Sequence, residues 1–137
     1  MVSSGGGSGT GGGGGGLPAC FTGNVRIKVA GGWHRRFDKL PYGVPFWIEN
    51  KTGVHRAELL THDYDGEMLD MGDGELVTPG HKMKSGKDWI PACDRFPNAL
   101  RVKFKGTVYN LHVISERAED HHYILENGEV AHNLKYV

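Results

Sequence analysis

Residues 107–133, TVYNLHVISERAEDHHYILENGEVAHN, carry the most information about the fold. Two segments within them, 108–114 and 123–125, are rich in the β-branched, aromatic and other apolar side chains that favour strands. Asn127-Gly128 follows the second segment, and this dipeptide favours tight hairpin turns because both residues tolerate a positive φ. The stretch therefore predicts short β-strands joined by tight turns.

The same pattern extends over the rest of the folded chain. Apolar and basic residues alternate over 25–29 and 100–104, as they do in half-buried strands. No window keeps a 3.6-residue period over three turns, so at most a short helical turn is expected near residues 34–39. Turn-forming segments such as 63–66 separate further strand candidates at 44–48, 57–60, 67–69 and 76–77. Many short strands and frequent turns predict an all-β domain.

Length and composition favour one folded domain behind a glycine-rich leader. The chain has 137 residues, and residues 1–16 are almost all Gly and Ser, which predicts a flexible linker or flank without a core. Because 16 basic and 16 acidic residues leave no formal net charge, no nucleic-acid or membrane partner is expected. No apolar stretch approaches the ~20 residues of a transmembrane helix, and no signal peptide is visible. A monomer is expected.

The chain has two cysteines, Cys20 and Cys93, which are too few for a disulfide scaffold. We interpret both as thiols in a reducing compartment. Cys93 is expected to be a packed thiol, and the alternative is a redox partner for Cys20. The remaining histidines are scattered and lack the spacing of zinc ligands, so no metal site is expected.

Cys20 is a candidate nucleophile at the start of the predicted folded region. Its thiolate could attack the carbonyl of Ala19 and convert the Ala19-Cys20 amide to a thioester. That shift is uphill for a relaxed amide, so the site must distort the bond or stabilise the tetrahedral oxyanion. Taken alone, a cysteine is more often a buried structural residue.

Two other pairs of residues suit the cleavage of a peptide bond. Thr78 and His81 form a Thr-x-x-His pattern, in which His could protonate a leaving amide nitrogen and Thr could hold the backbone. The carboxamide of Asn133 could attack its own carbonyl and cleave the bond to Leu134, while His132 polarises that carbonyl. Taken alone, the first pair is a turn with a surface histidine and the second is a polar tail.

The order of these motifs resembles the Hint domain, the family of inteins and hedgehog autoprocessing domains. The resemblance rests on Cys20, the Thr-x-x-His pattern, the stretch 107–133 and the closing His-Asn, and it covers residues 17–133. The chain is most similar to a bacterial intein-like domain or mini-intein. The resemblance implies a compact, horseshoe-shaped all-β fold with pseudo-two-fold symmetry, and it leaves residues 134–137 as a C-terminal flank.

The resemblance also implies catalytic roles at the N-terminal junction and in the assisting histidine. Cys20 matches the residue that makes the N–S acyl shift, and Thr78 and His81 match the pair that activates the N-terminal scissile bond. His121 lies two residues before an aromatic residue, as the histidine that assists the C-terminal step does. His122 is the adjacent alternative.

Four more positions complete the implied site. His132 and Asn133 match the penultimate His and the terminal Asn, whose cyclisation to a succinimide cuts the C-terminal junction. Asn110 stands where many inteins carry Asp; because Asn cannot act as a base, we predict loose coupling of the two cleavages. Leu134 replaces the nucleophilic residue of inteins, so conventional splicing is expected to fail and single-turnover cleavage to remain.

The resemblance implies no metal or cofactor. The expected substrates are the chain's own flanks, with small thiols or water as acyl acceptors. Synthesis in the cytoplasm of a bacterium or a phage-infected cell is expected, although the host protein could be secreted. Three alternatives stay open: an inert structural Hint module, an intein whose nucleophile was removed by engineering, and hedgehog-type transfer to an external nucleophile. The closing His-Asn argues against the third.

Overall fold

The structure, a computed structural model, describes residues 19–133. The predicted linker at 1–16, residues 17 and 18 and the flank at 134–137 lie outside the described residues. The described range contains eleven short or long β-strands, one α-helix of a single turn and two 3₁₀ turns. The prediction of an all-β domain is therefore confirmed. No helix in this part of the chain is long and apolar enough to cross a membrane.

The strands run in chain order from β1 to β11. Their bounds are β1 Phe21–Thr22, β2 Arg26–Lys28, β3 His34–Arg36, β4 Phe46–Asn50, β5 Gly53–Asp70, β6 Leu76–Val77, β7 Lys82–Ser85, β8 Asp88–Pro91, β9 Leu100–Ile114, β10 His122–Ile124 and β11 Val130–His132. The α-helix, α1, spans Ala92–Arg95, and the 3₁₀ turns span Phe37–Lys39 and Ala118–Asp120. The helical turn expected over 34–39 is thus only the first 3₁₀ turn, since residues 34–36 pair with β2.

The strands form three antiparallel sheets. The largest has five strands in the order β4-β5-β6-β1-β9, with β9 also paired to β5. A four-stranded sheet has the order β10-β11-β7-β8, and β2 and β3 form a separate pair. The first strand of the chain, β1, lies in the five-stranded sheet, and the last strand, β11, lies in the four-stranded sheet.

The prediction of a turn at residues 63–66 is wrong, because β5 continues through these residues as an extended strand. β9 supplies a partner for every residue of β5 from Arg56 to Asp70, and this long ladder overrides the local turn signal. Gly66 is needed there for another reason. A Cβ at Gly66 would lie 3.0 Å from the hydroxyl of Tyr64, so the glycine makes room for that aromatic side chain.

Two groups of buried apolar residues fill the domain. The larger group includes three aromatic rings that pack together, those of Phe21, Phe37 and Tyr123. The smaller group surrounds the first cysteine with Met68, Leu76 and Val108, and the partly buried Tyr64, Val102 and Phe104 pack against it. The smaller group therefore encloses the candidate nucleophile in apolar side chains.

Strand pairing brings the two ends of the domain into one region. Phe21 on β1 pairs with Val77 on β6 and with Tyr109 on β9. Because both pairings are antiparallel, the residues that follow Val77 and Tyr109 lie beside the residue that precedes Phe21. Ala131 on β11 pairs with Met83 on β7, two residues after the Thr-x-x-His turn. Residues 78–81 join β6 to β7 and so lie between the two chain ends.

Candidate functional site

The amide nitrogen of the predicted N-terminal junction is held by the Thr-x-x-His turn. Cys20 N–H donates to Thr78 Oγ1 at 2.9 Å, and Thr78 N–H donates to the Cys20 carbonyl at 2.9 Å. Thr78 is fully buried, and its own carbonyl accepts the N–H of His81 at 3.1 Å. The turn therefore fixes Thr78 against the nitrogen that would leave when the Ala19-Cys20 bond breaks.

The carbonyl oxygen of the same bond is held by Asn110 on β9. Asn110 Nδ2 donates to Ala19 O at 2.5 Å, and the Asn110 side chain is almost completely buried. Asn110 Oδ1 accepts from the Tyr123 hydroxyl at 2.6 Å and from Leu111 N–H at 2.7 Å. The Ala19-Cys20 amide is thus hydrogen-bonded on both its oxygen and its nitrogen by side chains.

The thiol of Cys20 is buried in the smaller apolar cluster, and only 6% of the residue is exposed. Burial raises the pKa of the Cys20 thiol to about 12 because an apolar surrounding disfavours the thiolate. The resting residue is therefore a protonated thiol, and its reaction requires a base.

His81 is a buried neutral imidazole between the two chain ends. Its Nε2 lies 2.9 Å from the carbonyl of His132, and since a carbonyl only accepts, Nε2 carries the proton. Burial lowers the pKa of His81 to about 4, and a backbone interaction with Cys20 acts in the opposite direction. Its Nδ1 is buried without a hydrogen-bond partner among residues 19–133. With the proton on Nε2, Nδ1 is the unprotonated nitrogen of the ring.

At the C-terminal junction the carbonyl of Asn133 has a hydrogen-bond donor in the adjacent residue. His132 Nδ1 lies 2.8 Å from the carbonyl oxygen of Asn133, so this nitrogen carries the proton and donates it to that oxygen. The His132 ring packs edge-on against Trp89, with ring centroids 4.9 Å apart. Asn133 is buried, with 4% of its surface exposed. The carbonyl that Asn133 cyclisation would attack is therefore already polarised.

The two adjacent histidines, His121 and His122, make different contacts. Asn133 N–H donates to the His121 carbonyl at 3.3 Å, and His121 Nε2 donates to the carbonyl of Ser115 at 2.7 Å. His122 instead accepts the N–H of Lys51 through Nε2 at 3.2 Å, and burial lowers the pKa of His122. His121 thus contacts Asn133 through its backbone and Ser115 through its ring, whereas the His122 ring contacts the β4–β5 turn.

Asn50 also belongs to this region, although the sequence indicated only a turn residue. Its Nδ2 donates to the carbonyls of Asp120 at 2.9 Å and of His122 at 2.8 Å, one residue on each side of His121. Asp120 in turn accepts from the hydroxyl of Ser115 at 2.6 Å, a contact that lowers the pKa of Asp120. Asn50 therefore holds the backbone on both sides of His121.

The seven predicted site residues fall into two connected groups. Around the N-terminal junction lie Cys20, Thr78 and Asn110, around the C-terminal junction lie His121, His132 and Asn133, and His81 lies between. Tyr123 and Asn50 were missed as site residues. Both make their contacts with residues distant in sequence, and the pattern that pairs His121 with Tyr123 does not reveal the hydrogen bond from Tyr123 to Asn110.

The remaining cysteine lies outside both groups. Cys93 is partly buried against the larger core cluster, and both cysteines are free thiols rather than a disulfide. Cys93 N–H donates to the carbonyl of Pro79 at 2.9 Å, so its backbone supports the Thr-x-x-His turn. Among residues 19–133, no three His, Cys, Asp or Glu side chains are grouped so that they could hold a metal ion.

Comparison with solved structures confirms the predicted Hint fold. The chain is similar to a DnaB intein from Synechocystis sp. PCC 6803, with a TM-score of 0.59 and 13% identity over 86% of this chain and 100% of that chain. It is also similar to a bacterial intein-like domain from Clostridium thermocellum, with a TM-score of 0.56 and 17% identity over 86% of this chain and 100% of that chain. At these identities the likeness establishes the fold. No family model and no curated protein matches this chain.

Proposed function

We propose that the chain is a self-processing domain that cleaves the Ala19-Cys20 and Asn133-Leu134 bonds. One observation carries this proposal: the Ala19-Cys20 amide is held at its oxygen by Asn110 and at its nitrogen by Thr78. A structural cysteine does not need buried polar side chains hydrogen-bonded to both the oxygen and the nitrogen of the preceding peptide bond. A site that breaks this bond does need them.

The N-terminal step begins with attack of Cys20 Sγ on the Ala19 carbonyl carbon. The thiol proton passes to the unprotonated Nδ1 of His81 while the C–S bond forms, and the negative charge develops on Ala19 O. Asn110 Nδ2 already donates to that oxygen and stabilises the charge. His81 then returns the proton to the Cys20 nitrogen as the C–N bond breaks, which leaves a thioester and a free amine.

The C-terminal step is an intramolecular cyclisation. The side-chain nitrogen of Asn133 attacks its own carbonyl carbon, and His132 Nδ1–H stabilises the oxygen that becomes negative. The C–N bond to Leu134 breaks, and the proton lost by the Asn133 side chain goes to the departing amine. His121, which binds the backbone of Asn133, is the proposed assisting residue.

Leu134 separates this activity from conventional splicing, because its side chain has no atom that could accept the acyl group from Cys20. The thioester would pass to a small thiol or to water, so the products are a released N-terminal flank and a released C-terminal flank. Each chain reacts once, on its own flanks. The proposal includes a monomer that is synthesised in a bacterial cytoplasm, where Cys20 would stay reduced.

An inert structural Hint module is a second candidate, and one observation favours it. The raised pKa of the buried Cys20 thiol keeps the nucleophile protonated at rest. Under this alternative the contacts around Ala19-Cys20 would only stabilise the fold. Thiol-dependent cleavage distinguishes the two functions, since an inert module yields no thioester.

The test is incubation of the purified chain at neutral pH with and without dithiothreitol, followed by intact mass spectrometry. Thiol-dependent loss of residues 1–19 is expected from the thioester, and loss of residues 134–137 from cyclisation of Asn133. Cys93→Ala is the matched control and should cleave as the unaltered chain does. An unchanged mass over days in a folded sample would contradict the proposal and favour the inert module.

A further inference from the structure

Tyr123 connects the centre of the core to the N-terminal junction. It is fully buried on β10, and its ring packs edge-on against Phe21 and Phe37 at centroid distances of 6.2 and 6.0 Å. Its hydroxyl donates to Asn110 Oδ1 at 2.6 Å. A buried hydroxyl is unfavourable unless it is hydrogen-bonded, and the packed ring leaves it little freedom to find another partner. The position of the hydroxyl is thus set by the core.

The contacts of Asn110 fix which way its amide points. Leu111 N–H can only donate, so the side-chain atom at 2.7 Å from it must be Oδ1. The Ala19 carbonyl can only accept, so the atom facing it must be the NH₂ group. The Tyr123 hydroxyl completes the oxygen side. An amide turned the other way would lose the hydrogen bonds with Leu111 N–H and Ala19 O, because oxygen would face oxygen at Ala19 and two donors would face each other at Leu111, whereas the Tyr123 hydroxyl could still accept from the amide.

We propose that Tyr123 is a positioning residue for N-terminal cleavage, because its hydroxyl holds the Asn110 amide with NH₂ directed at the Ala19 carbonyl oxygen. This inference rests on the proposed function and deepens it. Asn110 is then the group that touches the reacting atoms, and Tyr123 acts through it. Asn110 cannot act as a base. Held by Tyr123, it instead supplies a hydrogen-bond donor that does not depend on protonation.

The proposal makes the donor independent of pH. An amide NH₂ donates at every pH, whereas an Asp at position 110 would donate to Ala19 O only when protonated. In that variant the Tyr123 hydroxyl and Leu111 N–H would still point at one carboxyl oxygen and stabilise the ionised form. The ionised carboxylate would then repel the developing oxyanion on Ala19.

The direct test is Tyr123→Phe, which removes the hydroxyl and keeps the ring. N-terminal thiolysis at saturating dithiothreitol and C-terminal loss of residues 134–137 are measured in the same sample by mass spectrometry. N-terminal cleavage is expected to slow about 10- to 100-fold, somewhat less than the loss of an oxyanion donor itself. C-terminal cleavage is expected to change less than about twofold. Tyr109→Phe is the matched control, since its ring stacks on Phe37 at 6.0 Å in the same core.

A second measurement uses Asn110→Asp, which keeps Tyr123 and the shape of the side chain. Its N-terminal rate is divided by that of the unaltered chain at each pH, so that ionisation of the added thiol cancels. This ratio should fall as pH rises through the titration of the new carboxyl. Adding Tyr123→Phe removes one donor to the carboxylate and should move the fall to higher pH. A merely structural role for Tyr123 would not move this profile.

Equal N-terminal rates in Tyr123→Phe and the unaltered chain would overturn the inference, and so would an equal loss at both junctions. If Tyr123→Phe does not fold, the pH profile of Asn110→Asp decides, and a ratio constant with pH overturns the inference. Failure of the proposed function looks different. In that case the unaltered chain itself shows no thiol-dependent cleavage.

Discussion

At the N-terminal junction the bond to be broken is held by side chains that are far away in sequence. Thr78 is 58 positions from Cys20, and Asn110 is 91 positions from Ala19. At the C-terminal junction the Asn133 carbonyl accepts its hydrogen bond from the adjacent residue, His132. The donor to the N-terminal carbonyl is therefore positioned by strand pairing, whereas the carbonyl at the C-terminal junction has a donor in the adjacent residue.

The two reactions therefore depend on strand pairing in different ways. The side chains of Asn110 and Thr78 reach the scissile amide only when β1 is paired with β6 and β9. The C-terminal donor is covalently next to its target, and the fold needs only to hold the His-Asn pair against its surroundings. His81 is connected to both junctions, through Nε2 at the His132 carbonyl and through its backbone N–H, which donates to the carbonyl of Thr78.

The largest expected effects come from removing each reacting side chain. Cys20→Ala should abolish N-terminal cleavage and leave the rate of C-terminal cleavage within about twofold, because distant sites are usually independent. Asn133→Ala should do the reverse. Time courses of both products by intact mass spectrometry measure the two rates together. If either substitution stopped cleavage at both ends, the junctions would be obligatorily coupled and the comparison would fail.

Two substitutions at His81 separate its two contacts. His81→Gln keeps a group that can donate to the His132 carbonyl but cannot shuttle a proton, so N-terminal cleavage should fall about 10²- to 10⁴-fold. C-terminal cleavage should fall much less. His81→Leu removes the donor as well and should slow both ends.

The same mass-spectrometric time courses measure both rates, with thermal unfolding as the control for folding. Equal C-terminal rates in His81→Gln and His81→Leu would show that the contact with His132 does not matter for cyclisation. Equal N-terminal rates in His81→Gln and the unaltered chain would remove His81 from the proton transfer.

Part of the C-terminal junction is local enough to be read from the sequence. His132 and Asn133 are neighbours in sequence and in space, and the hairpin signal at Asn127-Gly128 correctly anticipates the pairing of β10 with β11. For Asn110, the sequence indicated the loss of a base but not the hydrogen bond to Ala19. That bond depends on the register of β9 against β1, which no local pattern specifies.

Contacts between residues distant in sequence also explain the main errors in the sequence-based prediction. The turn residues at 63–66 lie in a strand because β9 offers a continuous partner. Asn50 is of a residue type common in turns, but its side chain donates hydrogen bonds to backbone carbonyls 70 and 72 positions away. Polar residues that hold distant backbone look like ordinary turn or strand residues in a single sequence. They become visible only when the strands are placed.

The contributions of His81 and Cys20 to stability should change with pH in opposite directions. The pKa of His81 is lowered from 6.5 to about 4, so the unfolded chain binds more protons between these values. The stability that His81 contributes is present above pH 6.5 and is lost as pH falls towards 4, by up to about 3 kcal/mol. The pKa of Cys20 is raised from 9.0 to about 12, so its contribution is present below pH 9 and is lost as pH rises.

Denaturant unfolding at a series of pH values measures these slopes. His81→Gln should flatten the dependence between pH 4 and 6.5, and Cys20→Ala should flatten the dependence above pH 9. An acid slope that persists unchanged in His81→Gln would show that other groups cause it.

The smallest expected effect concerns how His121 is held. Asn50→Asp has the same shape but offers no NH₂ group to the carbonyls of Asp120 and His122, and it places a carboxylate near them. C-terminal cleavage should slow about tenfold, since a misplaced catalytic group loses rate without losing its chemistry. N-terminal thiolysis should change less than about twofold. Asn127→Asp is the matched control, because Asn127 lies in the exposed β10–β11 turn. A loss at both junctions would make Asn50 a residue of general stability, whereas a selective loss shows that even the local junction depends on one distant side chain.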